Sequence, residues 1–171
     1  EKAQCRIRAT GETMSPLRKL YIASGRIVGP FASLFLYTYT IVTKRPRVRV
    51  IVENEFKEVL LIVNVLRKRT YWTLPGGGMN RGEEAASAAK RELYEETGIN
   101  APLSHFRYLH TLHQSESQLP FAAPIYYVAV RKKDLPEKPH NPREIAHINW
   151  FKRDELPTDT APLVKDILNK Y

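Results

Sequence analysis

Cysteine is almost missing from this sequence. Cys5 stands alone among 171 residues, so no internal disulfide can form and a reducing, cytoplasmic setting is the default expectation. No base is placed for Cys5, which reads as an incidental thiol in a loose tail and not as a nucleophile. None of the five histidines has the partner spacing of a zinc site. Internal repeats and low-complexity segments are absent. Long apolar runs are missing too: residues 27–43 carry no charge, but seventeen residues is the lower edge for crossing a bilayer, and Ser33, Thr38, Thr40 and Thr43 dilute the run. It also starts too far into the chain for a cleavable signal peptide. Acids are scarce in residues 1–52, where Glu1 and Glu12 face ten lysines and arginines. The formal net charge of +9 is therefore +8 in that segment and +1 in the remainder. A basicity so placed argues against general nucleic-acid binding by the rest of the chain.

The length suffices for one domain with an appendage. Residues 1–15 lack periodicity and read as a flexible tail, with Met14 a candidate native start. In residues 16–45, Leu17, Leu20, Tyr21, Ser24, Ile27, Val28, Phe31, Leu34 and Phe35 recur at helical spacing, and Gly25 with Gly29-Pro30 splits the pattern into two helices. Basic residues flank this apolar segment on both sides. It suits packing on its own domain or on the second subunit of a homodimer. Contact of residues 17–45 with an anionic membrane surface, at the inner face, is the next reading, and a true span fits least.

From Pro46 the pattern turns to strands. Val48, Val50 and Val52 alternate with Arg47, Arg49 and Ile51, a turn follows at Glu53 to Lys57, and an apolar strand runs from Val59 to Val65. Arg67, Lys68 and Arg69 form a basic loop, either solvated or in contact with phosphate. Trp72 reads as a packing residue first and a base-stacking residue second. Pro75 stiffens the entry to Gly76, Gly77 and Gly78, glycines that permit close backbone approach. Further strands are expected over Phe106 to Leu112, Ile125 to Val130 and, briefly, His147 to Phe151. A closing helix from Pro162 should bury Leu163, Ile167 and Leu168.

Gly77 to Ile99 is the stretch with chemistry in it. A glycine loop runs into a helix whose packing face is Ala86, Ala89 and Leu93, and Gly98 is the expected stop. Glu92, Glu95 and Glu96 fall at i, i+3 and i+4, so they share one face near the negative end of the helix dipole. Left alone they repel one another and the dipole. Three hard oxygen donors in one patch suit a divalent cation such as Mg²⁺ or Mn²⁺ better than they suit a bare helix end.

The same stretch resembles the box of the Nudix hydrolases, Gly-x5-Glu-x7-Arg-Glu-U-x-Glu-Glu-x-Gly-U, where U is a bulky aliphatic residue. Gly77, Glu83, Arg91, Glu92, Leu93, Glu95, Glu96, Gly98 and Ile99 fill every specified position. Chance would produce that match roughly once in 10⁷ sequences at average residue frequencies. Trp72 to Gly78 is similar to the common lead-in of the family, and the resemblance covers about residues 46–170. It implies an α/β fold, an α/β/α sandwich around a mixed sheet, here with an N-terminal helical appendage. It implies metal-dependent hydrolysis of a phosphoanhydride in a small nucleotide, a nucleoside diphosphate linked to another moiety. Carried over by motif position, Glu92, Glu95 and Glu96 are metal-site acids, Glu83 supports them, a carbonyl near Gly76 is an extra ligand, and Arg91 orients Glu92. Glu92, Arg91 and Glu95 are then the catalytic candidates, with Glu116 and Glu144 as alternative bases. Gly77, Gly78, Arg67, Arg69 and Trp72 are the substrate-binding candidates. Two other readings compete: a catalytically silent ligand-sensing or protein-binding module, which predicts broken box acids, and an RNA 5′-end pyrophosphohydrolase, against which the placement of charge counts.

Overall fold

A computed structural model describes residues 46–65, 71–113, 122–134 and 140–171. The expectations for residues 1–45, and with them the homodimer and membrane-surface readings, lie outside the described residues. So do Arg67, Lys68, Arg69 and Glu116. Among the described residues, no helix is long and apolar enough to cross a membrane.

Five strands form one sheet: β1 (Arg49–Glu53), β2 (Glu58–Asn64), β3 (Arg107–Leu112), β4 (Ala123–Ala129) and β5 (Ile145–Lys152), in the spatial order β3-β4-β1-β2-β5. β1 and β4 run parallel, and the other neighbours are antiparallel. Among the described residues two α-helices, α1 (Ala85–Thr97) and α2 (Pro162–Lys170), cover opposite faces. β1 is the central strand and is buried along its whole length, as the near-continuous apolar run Val50-Ile51-Val52 requires of a strand covered on both sides. Val48, Val50 and Val52 pack with Leu60 against Ala88, Ala89 and Leu93 of α1. Ile51, Leu61 and Val63 share the other core with Val164, Ile167 and Leu168 of α2. The fold is an α/β/α sandwich around a mixed sheet.

Details of the elements differ from the sequence pattern for physical reasons. β5 is longer than expected because it pairs along the whole of β2, from Glu58 opposite Lys152 to Asn64 opposite Ile145. Val164 takes the core place expected of Leu163, which is only partly buried. On α1 the buried stripe is Ala88, Ala89, Leu93, Glu96 and Thr97, with Ala86 partly buried. The stripe is rotated toward Glu96 because that acid finds a hydrogen-bond donor inside. Gly98 ends the helix at φ 78°, in the left-handed region, and its N–H donates to Tyr94 O at 2.7 Å.

The glycine loop sits in a wedge in the sheet. β1 and β2 pair only where Glu53 meets Val59, and beyond that they diverge. The segment from Trp72 to Met79 fills the gap. Thr73 exchanges both backbone bonds with Ile62 at 2.9 Å, Val50 N donates to Pro75 O at 2.9 Å, and Val48 N donates to Gly77 O at 2.9 Å. Met79 N closes the series on Pro46 O at 3.0 Å. The loop is thus strand-like on both flanks, which satisfies backbone groups that burial would otherwise leave unpaired.

Glu53 ends β1 with its carboxylate inside the structure, held by three elements. Lys57 Nζ donates to it at 3.0 Å, Tyr127 Oη on β4 at 3.1 Å, and Arg153 Nη2 at 3.1 Å. Arg153 Nη1 also donates to Leu168 O of α2 at 3.0 Å. Burial pushes the Glu53 carboxyl up, but the bonds from Lys57, Tyr127 and Arg153 outweigh it and hold the group below the usual carboxylate range. A carboxyl whose folded pKa is depressed stabilises the fold above its unfolded pKa, and that stabilisation is lost as pH falls through the folded pKa. Glu53→Gln should therefore cost about 1–3 kcal/mol at pH 7. The gap to the parent protein should narrow as pH drops below the carboxylate range, read from urea unfolding at a series of pH values.

Candidate functional site

The site is built where α1 leaves the glycine loop. Arg91 is its hub. Its Nε donates to Glu83 Oε1 at 2.8 Å and its Nη2 to Glu83 Oε2 at 2.9 Å, a bidentate pair. Nη2 also donates to Gly78 O at 2.9 Å, and Nη1 reaches Glu92 Oε1 at 2.9 Å and Glu95 Oε2 at 3.1 Å. Asn80 N–H donates to Glu83 Oε2 at 2.7 Å, so both Glu83 oxygens are engaged by the loop and by Arg91. These bonds hold the Glu83 carboxyl below its ordinary range, with Arg91 the main cause. Glu83 anchors Arg91, which joins it to Glu92 and Glu95.

Glu92 and Glu96, one helical turn apart, meet neighbouring glycines. Glu96 is 6% exposed, and its Oε2 accepts from Gly76 N–H at 2.7 Å. The Glu92 carboxylate lies so close to the Gly77 Cα that a β-carbon there would collide with it. Its side chain is 14% exposed. Burial pushes the Glu92 carboxyl above the usual range, Arg91 pulls it back, and the charge of Glu95 pushes it up again. The net direction is upward, so Arg91 neutralises this acid only in part. Glu95, half exposed, stays at the rim of the helix face. The Gly76 carbonyl accepts from Arg49 Nη1 at 3.1 Å. Gly78 has open space where a side chain would stand.

Trp72 is 5% exposed in the core on the α2 side, edge-on to Phe151 at 4.8 Å between ring centroids. Burial in this core makes Trp72 a packing residue here. Glu144 is exposed, and its carbonyl accepts from Val65 N–H. Sequence reasoning missed Arg49: its place in an alternating strand pattern resembled that of a surface residue, whereas β1 is covered on both faces.

Among the described residues, no three histidine, cysteine, aspartate or glutamate side chains are already gathered at metal-holding distance. The donor chemistry nevertheless fits a hard divalent cation. Glu92 and Glu96 converge on consecutive glycines, and Glu95 lies on the same helix face, bonded to the Arg91 that also holds Glu92.

A family model described as NUDIX domain matches residues 43–171. The m7GpppN-mRNA hydrolase dcap-2 of Caenorhabditis elegans is 32% identical over 117 residues, which make up 64% of this chain and 14% of that protein. Phosphatase NudJ of Escherichia coli K12 is 28% identical over 115 residues, 66% of this chain and 73% of NudJ. The chain thus spans a small part of the worm protein's length and most of the bacterial one. Among solved structures, a MutT NUDIX hydrolase from Burkholderia pseudomallei aligns with a TM-score of 0.58 at 23% identity, over 73% of this chain and 95% of that one. A C. elegans Ap4A hydrolase aligns at 0.56 and 18%, over 72% and 93%. At such identities these structures speak for the fold.

Arg91 tests how far the site depends on a guanidinium. Lysine keeps the charge but cannot hold Glu83 side-on while reaching Glu92, Glu95 and the Gly78 carbonyl. Arg91→Lys should destabilise the protein by about 1–3 kcal/mol in urea unfolding, since it leaves charged partners unsatisfied. Unchanged stability would mean that the loop and helix are held together by something else.

Proposed function

Because the chain belongs to the Nudix family, we propose that it hydrolyses the phosphoanhydride of a small nucleotide, a nucleoside diphosphate linked to a further group, with Mg²⁺ or Mn²⁺ as cofactor. The observation that carries this reading is the convergence of Glu92 and Glu96 on Gly77 and Gly76, on the face that Glu95 shares. Glu92, Glu95 and Glu96 would hold the cation, which supplies charge neutralisation for the diphosphate and acidifies an attacking water.

The chain's own residues do the rest. Phosphoryl chemistry of this kind depends mostly on positioning and electrostatics. Arg91 ties the loop carbonyl of Gly78 to the acids of α1, so that the two sides of the site keep their spacing. The missing side chain at Gly77 lets the Glu92 carboxylate itself come close, and the open space at Gly78 is where a diphosphate would enter. Water attacks one phosphorus, the bridging oxygen leaves with the other, and the proton of the water passes to a carboxylate. Glu92 is the candidate base, the box acid whose carboxylate stands against Gly77 next to the open side of Gly78. Every acid of the box is in place, which speaks against a silent module.

The similarity to an mRNA cap hydrolase keeps RNA 5′-end chemistry as a second reading of the same site. A panel of ADP-ribose, NADH, a UDP-sugar, Ap4A, nucleoside triphosphates and a capped RNA, each with Mg²⁺ or Mn²⁺, separates the two. Turnover of a small nucleotide is expected; turnover of capped RNA alone would favour the second reading, and no turnover at all would favour a ligand-sensing module.

Two substitutions test the site itself. Glu96→Gln keeps an oxygen to accept from Gly76 N–H while removing the charge, so the fold should persist by circular dichroism. Turnover with Mg²⁺ should fall at least about 100-fold, more than is typical for loss of a supporting group. Gly77→Ala should also fold, because the intruding β-carbon meets the mobile end of Glu92 and not backbone. The displaced carboxylate should lower kcat by roughly 10- to 100-fold. Parent-like rates in either variant would remove that residue from the site.

A further inference from the structure

Arg49 lies in the central strand at 7% exposure, a costly place for a guanidinium unless acceptors surround it. Its Nη1 donates to Val48 O and to Gly76 O, each at 3.1 Å. Both acceptors are backbone carbonyls, so these bonds fix the course of the chain. At Gly76 φ is 135°, a region that side chains rarely adopt, and a β-carbon there would strike the Val48 carbonyl. On the other side of the same Cα, the Gly76 N–H donates to Glu96 Oε2 at 2.7 Å. The two peptide groups that flank the Gly76 Cα are thus tied to opposite charges, one to a buried cation on β1 and the other to a buried anion on α1.

We infer that Arg49 is a positioning residue of the glycine loop: it holds the Gly76 carbonyl against β1, so that the Gly76 amide stands where Glu96 docks and the acid face of α1 is registered on the sheet. The consequence for cation binding rests on the reading of Glu96 as a metal-site acid; the consequence for the loop does not. Glycine has the widest backbone freedom of any residue. The wedge fixes Pro75 and Gly77 through their carbonyls to Val50 and Val48, and Arg49 supplies the corresponding hold at Gly76 between them.

The test uses the full chain with Arg49→Met, which removes the donors, and Arg49→Lys, which keeps a charge without the planar fork. Amide exchange at Gly76 is followed by NMR in metal-free protein, with the Gly98 amide, bonded to Tyr94 O at the far end of α1, as the internal reference. Mn²⁺ binding is read separately from the electron paramagnetic resonance of the free ion. Arg49→Met should speed Gly76 exchange at least about 10-fold relative to Gly98 and weaken Mn²⁺ binding by about 10-fold, with Arg49→Lys intermediate in both. Equal acceleration of the two amides, or no change at Gly76, in both variants would overturn the inference. Selective acceleration at Gly76 in a protein whose parent form binds no Mn²⁺ would leave Arg49 as the positioning residue and overturn the metal reading instead. If Arg49→Met does not fold, Arg49→Lys carries the same comparison.

Discussion

One guanidinium bonded to three carboxylates, that of Arg91, holds the site together. Glu92, Glu95 and Glu96 crowd the last turns of α1, where the helix dipole is already negative and no basic residue stands in the final turn. Arg91 sits one step before them and faces Glu83 across the loop. It joins the chain entering the helix to the acids near its end, through Glu83 and Gly78 on one side and Glu92 and Glu95 on the other. The neutralisation is partial, since burial still leaves the Glu92 carboxyl above its ordinary range.

That arrangement depends in turn on the wedge between β1 and β2. A glycine loop free in solvent would have no fixed place for the acids to converge on. Here the loop is bonded to β1 through Pro75 and Gly77 and to β2 through Thr73. The alanines at positions 88 and 89 let α1 lie close over Val48, Val50 and Val52, so the helix and the loop share one rigid support. The charged residues buried in β1 mark both ends of that support. Arg49 fixes the loop, and Glu53 fastens β1 to β4 and, through Arg153, to the end of α2.

Much of this was legible in the sequence because the chemistry is local. The spacing of Glu92, Glu95 and Glu96 places three acids on one helix face whatever the surroundings, and Gly98 stops a helix by its own torsional freedom. The strands were legible by alternation and apolar content. What could not be read were pairings between distant segments. That Thr73 joins Ile62, or that Pro75 and Gly77 join β1, is decided by how far β1 and β2 diverge, and no local pattern records it. Arg49 resembles an outward-facing residue of a half-buried strand and Glu53 the first residue of a turn, whereas both lie in β1, which is covered on both faces. Trp72 was ambiguous for the same reason, since an aromatic next to a glycine loop can face either the site or the core.

The structure also reassigns charge. Arg47 and Arg49 belong by sequence position to the basic N-terminal stretch, but both stand in the folded sheet region, where Arg47 bridges to Gly78 and Arg49 is buried. With them, residues 46–171 hold nineteen basic and sixteen acidic side chains, and residues 1–45 hold eight and two. Arg49, Arg91 and Arg153 are each engaged by carbonyls or carboxylates of the fold itself. The charge of these three arginines is therefore taken up by partners within the fold. A diphosphate needs a short, dense patch of positive potential at one place, which a divalent cation, if held by Glu92, Glu95 and Glu96 as proposed, would supply without a basic surface around it.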